Sequence, residues 1–381
     1  MHMYFLLDPL GGAMESVVYS RQQLQGKILT VTGPVPPDSI GKTLMHEHII
    51  VDYAKNFGQP MGDSSRARVG GLSLDEQRQL WEEPLSIKNV GHCRGYFNQN
   101  KDNMVLDDEQ MMMREMEPYK KFGGRTIVEQ SVCGMNGDPA ALARISETSG
   151  VQIVHGTGYY LSRVHPPDMD NKTVPQLTDQ FLQEILAGHK CGVHAGILGE
   201  LGCSTVLAQN EAKVLQAAAF TQQQTGVSIS IHPGYSKESP VEVAQILRSE
   251  GADLTRVVIS HVDRGILTVP DMIALAEQGC VLEFDQFGWG CSFTHALSHG
   301  IDYPSDFVRC QMIRELRDAG FIKQVVLSHD IAFKSRLTRY GGDGYSYLLK
   351  NIVPYMLQRG LTEEDIDTIL VQNPKRLLTI V

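Results

Sequence analysis

Residues 227–261 read VSISIHPGYSKESPVEVAQILRSEGADLTRVVISH. The segment opens on a short β-branched run that ends at His232. It passes through helical periodicity over 239–249 and closes on a second β-branched run that ends at His261. Strand, crossover helix and strand in that order are the unit of a parallel α/β sheet. The same alternation extends in both directions. Strand-like runs are expected at 43–50, 126–130, 151–155, 195–200, 227–232, 257–261, 280–284 and 324–328. Helical stretches such as 210–225, 239–249, 270–278 and 304–319 supply crossovers, several opening on Ser or Pro and closing near Gly. Eight strands with intervening helices can close into a (β/α)8 TIM barrel. An open doubly wound sheet would more often carry a Gly-rich phosphate turn, and neither GxGxxG nor GxxxxGK[ST] occurs.

Around this core the expected organisation is an N-terminal extension over 1–25 and one barrel domain over 26–381. The stretch 54–103, rich in Gly, Asn and charge, is too long for a plain βα loop and reads as a lid or insertion. A helix pair over 345–359 and 362–372 should pack outside the barrel. The apolar patch at 3–7 lacks a basic flank and is too short for a signal-peptide core, and Met14 is an alternative start.

At 381 residues, 42% hydrophobic and 20% charged, the chain has the composition of a globular protein able to bury a sizeable core. Its 34 Lys+Arg against 44 Asp+Glu give a net charge of −10 with no basic run, which argues against a nucleic-acid or anionic-membrane surface. A small-molecule ligand is expected, and a homo-oligomer is left open. Seven scattered cysteines without a CxxC pair fit reduced thiols and a cytoplasmic protein.

The chemistry begins at Met45-His46-Glu47-His48. On a strand, two histidines two apart share a face, where neutral imidazoles can grip a Zn²⁺-like ion while Glu47 points to the opposite side. Read alone, the pair could equally be hydrogen-bonded core histidines. Three further groups end expected strands: His232, His261 and Asp330. The C-terminal rim is where barrel enzymes place catalytic residues, so the convergence favours a metal site. Glu200, between glycines in GELG, reaches the same rim and could bridge two ions; the alternative is a structural ion pair. Four neutral imidazoles leave two divalent ions overcharged, and Glu200, Asp330 and a hydroxide would bring the site to about +1.

This order of HxH, acidic bridge, His, His and Asp resembles the amidohydrolase superfamily, and within it the phosphotriesterase family in its phosphotriesterase-related branch. The resemblance extends to VTGPVPPDSIGKTLMHEHI, GELGCS, SIHPG, ISHVDR, LSHD and the tail from GGDGYSYLLK to NPKRLL, and covers about 26–378. It implies two divalent ions, Zn²⁺ in the first instance. His46, His48 and Asp330 would hold the more buried one, His232 and His261 the more exposed one, and Glu200 would bridge them. The chain departs from bacterial phosphotriesterases, which carry a carboxylated lysine at the bridge. A second departure is that Arg264 and Gln286 stand where those enzymes have an Asp and His that relay protons.

The resemblance also implies amidase action on small N-acyl compounds, N-acetyltaurine among them, by water activated between the metals, with Asp330 taking the proton. A lactonase or phosphotriesterase on the same site is the alternative, and a catalytically silent metal-binding scaffold is the rival of another class. Arg264 could hold an anionic head or form an ion pair at the rim. Tyr159, Tyr160 and the Trp289 loop could wall a pocket or simply pack, and Glu129, Gln130, His155 and Asp285 could support the ligands from behind.

Overall fold

The computed structural model describes residues 17–57, 72–290 and 292–381, together with the backbone of two short paired strands, Phe5–Leu7 and Ala13–Glu15. The rest of the expected extension before residue 17, residues 58–71 of the expected insertion, and Cys291 lie outside the described residues. Eight parallel strands form one sheet in sequential order: β1 (Lys42–Glu47), β2 (Gly124–Glu129), β3 (Gln152–Thr157), β4 (Ile197–Gly202), β5 (Ile229–His232), β6 (Val257–Ile259), β7 (Val281–Phe284) and β8 (Val325–Leu327). The crossovers carry helices α1 (Glu109–Lys121), α2 (Pro139–Ser149), α3 (Val174–Leu186), α4 (Gln209–Thr225), α5 (Glu238–Ser249), α6 (Val269–Glu277), α7 (Phe293–His299) and α8 (Asp306–Asp318). The fold is the (β/α)8 barrel expected from the alternation.

Strand periodicity explains the two cores. Ile127, Ile153, Leu198, Ile229, Val257, Leu282 and Val325 pack outward against the helices. Their neighbours Val128, Val154, Ile197, Val258, Val281 and Val326 fill the barrel interior. The helices follow local rules as well. In α2, Asp138 caps the first turn by accepting from Ala141 N, Pro139 supplies the fixed φ of the first position, and Gly150 ends the helix at φ 70°. Among the described residues no helix is long and apolar enough to cross a membrane.

The expected C-terminal helix pair is more broken than its periodicity suggests. A π-helical turn, Leu348–Ile352, precedes the helix Val353–Gln358, and a second, Thr368–Gln372, joins Glu363–Asp367 to Asn373–Leu378. Beyond the expected pair, Leu377 and Leu378 join Ile28 and Ile40 in the inner core and close it from the end opposite the site. Residues 19–24 also dock on the barrel: Tyr19 N donates to Leu186 O, and Leu24 is fully buried.

The seam between β1 and β8 is closed by one side chain. The Glu47 carboxylate, 0% exposed, accepts from Ser328 Oγ (2.8 Å), His329 N (2.9 Å) and Ile331 N (2.9 Å), and lies 2.6 Å from His329 Nδ1. Backbone bonds from Asp330 N to His46 O (3.2 Å) and from His48 N to Ile331 O (3.3 Å) complete the junction. Glu47 thus fixes the turn on which Asp330 sits. Glu47→Gln should cost about 2–3 kcal/mol, because an amide turns one acceptor oxygen into a donor facing other donors, and Tm should fall by roughly 3 °C. Calorimetry checks this, and an unchanged Tm would mean that the charge is irrelevant to the seam.

Candidate metal centre

All six candidate ligands converge at the C-terminal mouth. The β1–β2 pairing slips between Leu44 and Glu47, so that Met45 joins the inner core while His46 and His48 both reach the mouth. Glu200 lies inside β4, which runs two residues beyond its expected end, and His232 closes β5. His261 and Asp330 follow β6 and β8 on left-handed backbone, at φ 58° and 55°. Non-glycine residues adopt that conformation at a cost and concentrate at functional sites.

Three donor groups overlap at the mouth among the described residues: His46, His48 and Asp330; Glu200, His232 and His261; and His46, His261 and Asp285, which shares a histidine with each of the first two. Within the first, His48 Nε2 is 3.3 Å and His46 Nε2 3.9 Å from Asp330 Oδ1. Within the second, Glu200 Oε2 is 2.9 Å from His232 Nδ1 and 3.4 Å from His261 Nε2, and those two nitrogens are 3.0 Å apart. Glu200 also faces the first group, with His48 Nε2 3.5 Å from Oε1 and His46 Nε2 3.5 Å from Oε2.

These residues fit a divalent metal on several grounds. His46 Nε2 is buried without a hydrogen-bond partner. His232 Nδ1 and His261 Nε2 lie 3.0 Å apart, a spacing that two nitrogens bound to one cation can adopt. Four imidazoles with two carboxylates are also the donor set preferred by zinc-like ions. The far ring nitrogens are held from behind: His48 Nδ1 by Ser131 Oγ (2.9 Å), His46 Nδ1 by Glu283 and Ser260 (both 3.2 Å), and His261 Nδ1 by Asp285 Oδ1 (2.8 Å). Such contacts set the tautomer that leaves Nε2 free.

The electrostatics agree. Burial, reinforced by the Arg264 charge, pushes His232 down to about 3 and His261 to about 4, so both are neutral and keep a lone pair at neutral pH. Burial would lower His46 and His48 too, but Glu200 beside His46 and Asp330 beside His48 raise both, marking a place that favours positive charge. Burial alone would raise Asp330 and Glu200. The hydrogen bond from His48, with the His46 and His48 charges, holds Asp330 well below the usual carboxylate range, and the His46 charge with the hydrogen bond from His232 does the same for Glu200.

A cavity of about 410 Å³ opens above the centre. Tyr53, Phe57, Phe97, Trp289 and Phe333 form an apolar wall, while Arg163, Ser204, Thr205, Tyr235, Arg264 and His299 line a polar side. Tyr160 lines the cavity, its hydroxyl 2.6 Å from that of Tyr53. Tyr159 does not: its ring is buried, and its hydroxyl meets Gln180 and Lys172 away from the mouth. Arg264 is not on the rim but 4% exposed. Among the described residues no carboxylate pairs with it. NH1 donates to Pro233 O at 3.4 Å, NH2 lies 3.5 Å from His232 Nε2, and Nε has no partner. Gln286 donates to Asp330 Oδ2 and Asp285 Oδ1, both at 2.9 Å.

Of the expected supports, Asp285 stands behind His261. Glu129 meets His155 Nδ1 at 3.2 Å and accepts from Ile49 N and Ser131 N. Ser131, Ser260 and Glu283 were not anticipated, though Ser131 and Ser260 directly adjoin expected strand-end residues.

Residues 26–378 match the model of the phosphotriesterase family. Over 365 residues the chain is 40% identical to an N-acetyltaurine hydrolase of Dictyostelium discoideum, covering 93% of this chain and 98% of that one. Over 358 residues it is 37% identical to the N-acetyltaurine hydrolase of Homo sapiens, covering 93% and 99%. A resiniferatoxin-binding protein from Rhodobacter sphaeroides superposes with a TM-score of 0.86 at 32% identity over 94% of this chain and 97% of its own. A phosphotriesterase homology protein from Escherichia coli, solved with phosphate in its active site, gives 0.70 at 26% identity over 90% and 99%. The chain belongs to the phosphotriesterase family and is a metal-dependent hydrolase of small molecules.

Proposed function

We propose that this protein hydrolyses the amide bond of small N-acyl compounds with an anionic head, N-acetyltaurine first among them. The observation that carries this is Arg264: a buried guanidinium with no carboxylate partner among the described residues, in the wall of the cavity that His232 and Asp330 also line. A desolvated charge left without a counter-ion is costly, so the site is complete when an anion enters. The names of the relatives at 37–40% identity point the same way.

His46, His48 and Asp330 would hold one divalent ion and His232 and His261 a second, with Glu200 shared between them; the donor set suits Zn²⁺. Ions held there would supply Lewis acidity, polarising the scissile carbonyl and lowering the pKa of a water. The chain's own groups do the rest. Arg264 takes the sulfonate or carboxylate and fixes the amide over the mouth. Asp330 Oδ2 accepts the proton of the attacking water and returns it to the nitrogen as the C–N bond breaks, releasing a carboxylate and a free amine. Gln286 keeps Oδ2 oriented by its 2.9 Å hydrogen bond and has no proton of its own to relay. The wall of Tyr53, Phe97, Trp289 and Phe333 keeps bulk water from the acyl side. The six described cysteines are free, in keeping with a cytoplasmic protein.

The test is a comparison of kcat/KM across N-acetyltaurine, N-acetyl amino acids, a lactone and a phosphotriester. N-acyl anions should lead, and a clear preference for the lactone or triester would overturn the amidase assignment. Arg264→Ala should raise KM for N-acetyltaurine about tenfold or more, since a charge-assisted hydrogen bond contributes roughly 1.5–3 kcal/mol, and should affect a neutral ester far less. Equal losses on charged and neutral substrates would make Arg264 a structural residue.

A further inference from the structure

Arg264 is held by very little. Its two hydrogen-bond contacts are long, at 3.4 and 3.5 Å, and its Nε is unpaired. A side chain with this much rotamer freedom would lose considerable entropy on gripping an anion unless something fixed it beforehand. What fixes it is an aromatic face: the guanidinium carbon lies over the Tyr235 ring, 4.7 Å from its centroid. The ring is itself clamped. It stacks on the His299 imidazole at 3.9 Å with 6° between the planes, and Tyr235 N donates to Thr205 Oγ1 at 3.1 Å. The turn that carries it is packed too closely for any side chain at Gly234, where a Cβ would stand 2.5 Å from Thr205 Cα. His299 comes from the last turn of α7, in the β7–α8 connection, so three separate connections meet at this arginine.

We propose that Tyr235 is the positioning residue for Arg264, holding the guanidinium toward the substrate's anionic head by the face of its ring, with His299 setting that ring from α7. The inference rests on the reading that Arg264 binds the anion. It assigns the work to the ring and not to the hydroxyl, for which no hydrogen bond to Arg264 is found among the described residues. A cation held over an aromatic face is stabilised whether the ring is phenol or benzene. Arg264 is buried and Tyr235 half-buried, which limits the water that screens the attraction.

The experiment measures competitive inhibition by propane-1-sulfonate, an anion with no scissile bond, against N-acetyltaurine hydrolysis by the metal-loaded enzyme. Tyr235→Leu should raise the inhibition constant about five- to tenfold and KM in parallel, with kcat little changed. Tyr235→Phe keeps the ring and should hold the constant within about twofold of the parent. His299→Ala loosens the stack and should fall between the two, which provides a readout should Tyr235→Leu fold poorly by thermal melting. Arg264→Ala is run alongside. If it leaves sulfonate inhibition unchanged, the anion reading itself falls. If it weakens inhibition while Tyr235→Leu and His299→Ala do not, or if Tyr235→Phe is as damaging as Tyr235→Leu, the positioning role of the ring is overturned.

Discussion

Replacing His46 and His48 together by alanine is expected to bring hydrolysis down by on the order of a thousandfold or more and to leave at most one tightly bound metal ion per chain. Both Nε2 atoms face the same two carboxylates, Glu200 and Asp330, at 3.3–3.9 Å. Without the imidazoles that group keeps only oxygen donors, one of which is shared with His232 and His261. Among the described residues the nearby His155 and His329 cannot replace them, since His155 is engaged with Glu129 and His329 with Glu47. Losing the ion returns the attacking water toward its bulk pKa of about 15.7, which accounts for the size of the effect. The fold should survive, because the inner core below the site is apolar and keeps its contacts. Elemental analysis and circular dichroism on the same sample separate the outcomes. Two ions per chain with full turnover would sink the assignment of these residues.

Much of the barrel could be read from the chain because its signals are local. Each β-branched run marks a strand wherever it pairs, and four of the six candidate ligands, Glu200, His232, His261 and Asp330, sit at or just beyond the ends of such runs. What escaped depends on partners distant in sequence. The slip in β1 that brings His46 into line with His48 is set by its pairing with β2. The left-handed turns at His261 and Asp330 are imposed by the neighbouring strands and by Glu47, whose place behind Asp330 no spacing rule reveals. Tyr159 and Tyr160 are consecutive residues of an extended segment and point to opposite sides, so only Tyr160 reaches the cavity. Tyr235 stands three residues past His232, yet its importance appears only once His299 and Arg264 arrive from other connections.

Glu200→Gln is expected to weaken both metals at once, leaving well under one ion per chain after dialysis and lowering kcat/KM by about 10²-fold or more. No other carboxylate faces all four site histidines, with oxygens 2.9–3.5 Å from a ring nitrogen of each. Glutamine preserves the shape but removes the negative charge that offsets two cations. It also turns an NH2 group toward imidazole lone pairs, which it can engage as a donor, so that amide and metal compete for the same nitrogens. The apo protein should lose some stability as well, because His46 and His232 hold Glu200 below the usual carboxylate range and the amide forfeits the stabilisation of that buried charge. Metal affinity, rate and apo melting temperature should all fall, and circular dichroism on the same sample should show that the fold is kept. Excess Zn²⁺ should recover only part of the rate. Glu200→Lys should recover none unless bicarbonate carboxylates the amine, because a protonated lysine would add positive charge between two cations. A Glu200→Gln enzyme with parental metal content and parental rate would reduce Glu200 to a packing residue and leave His232 and His261 without their shared counter-charge.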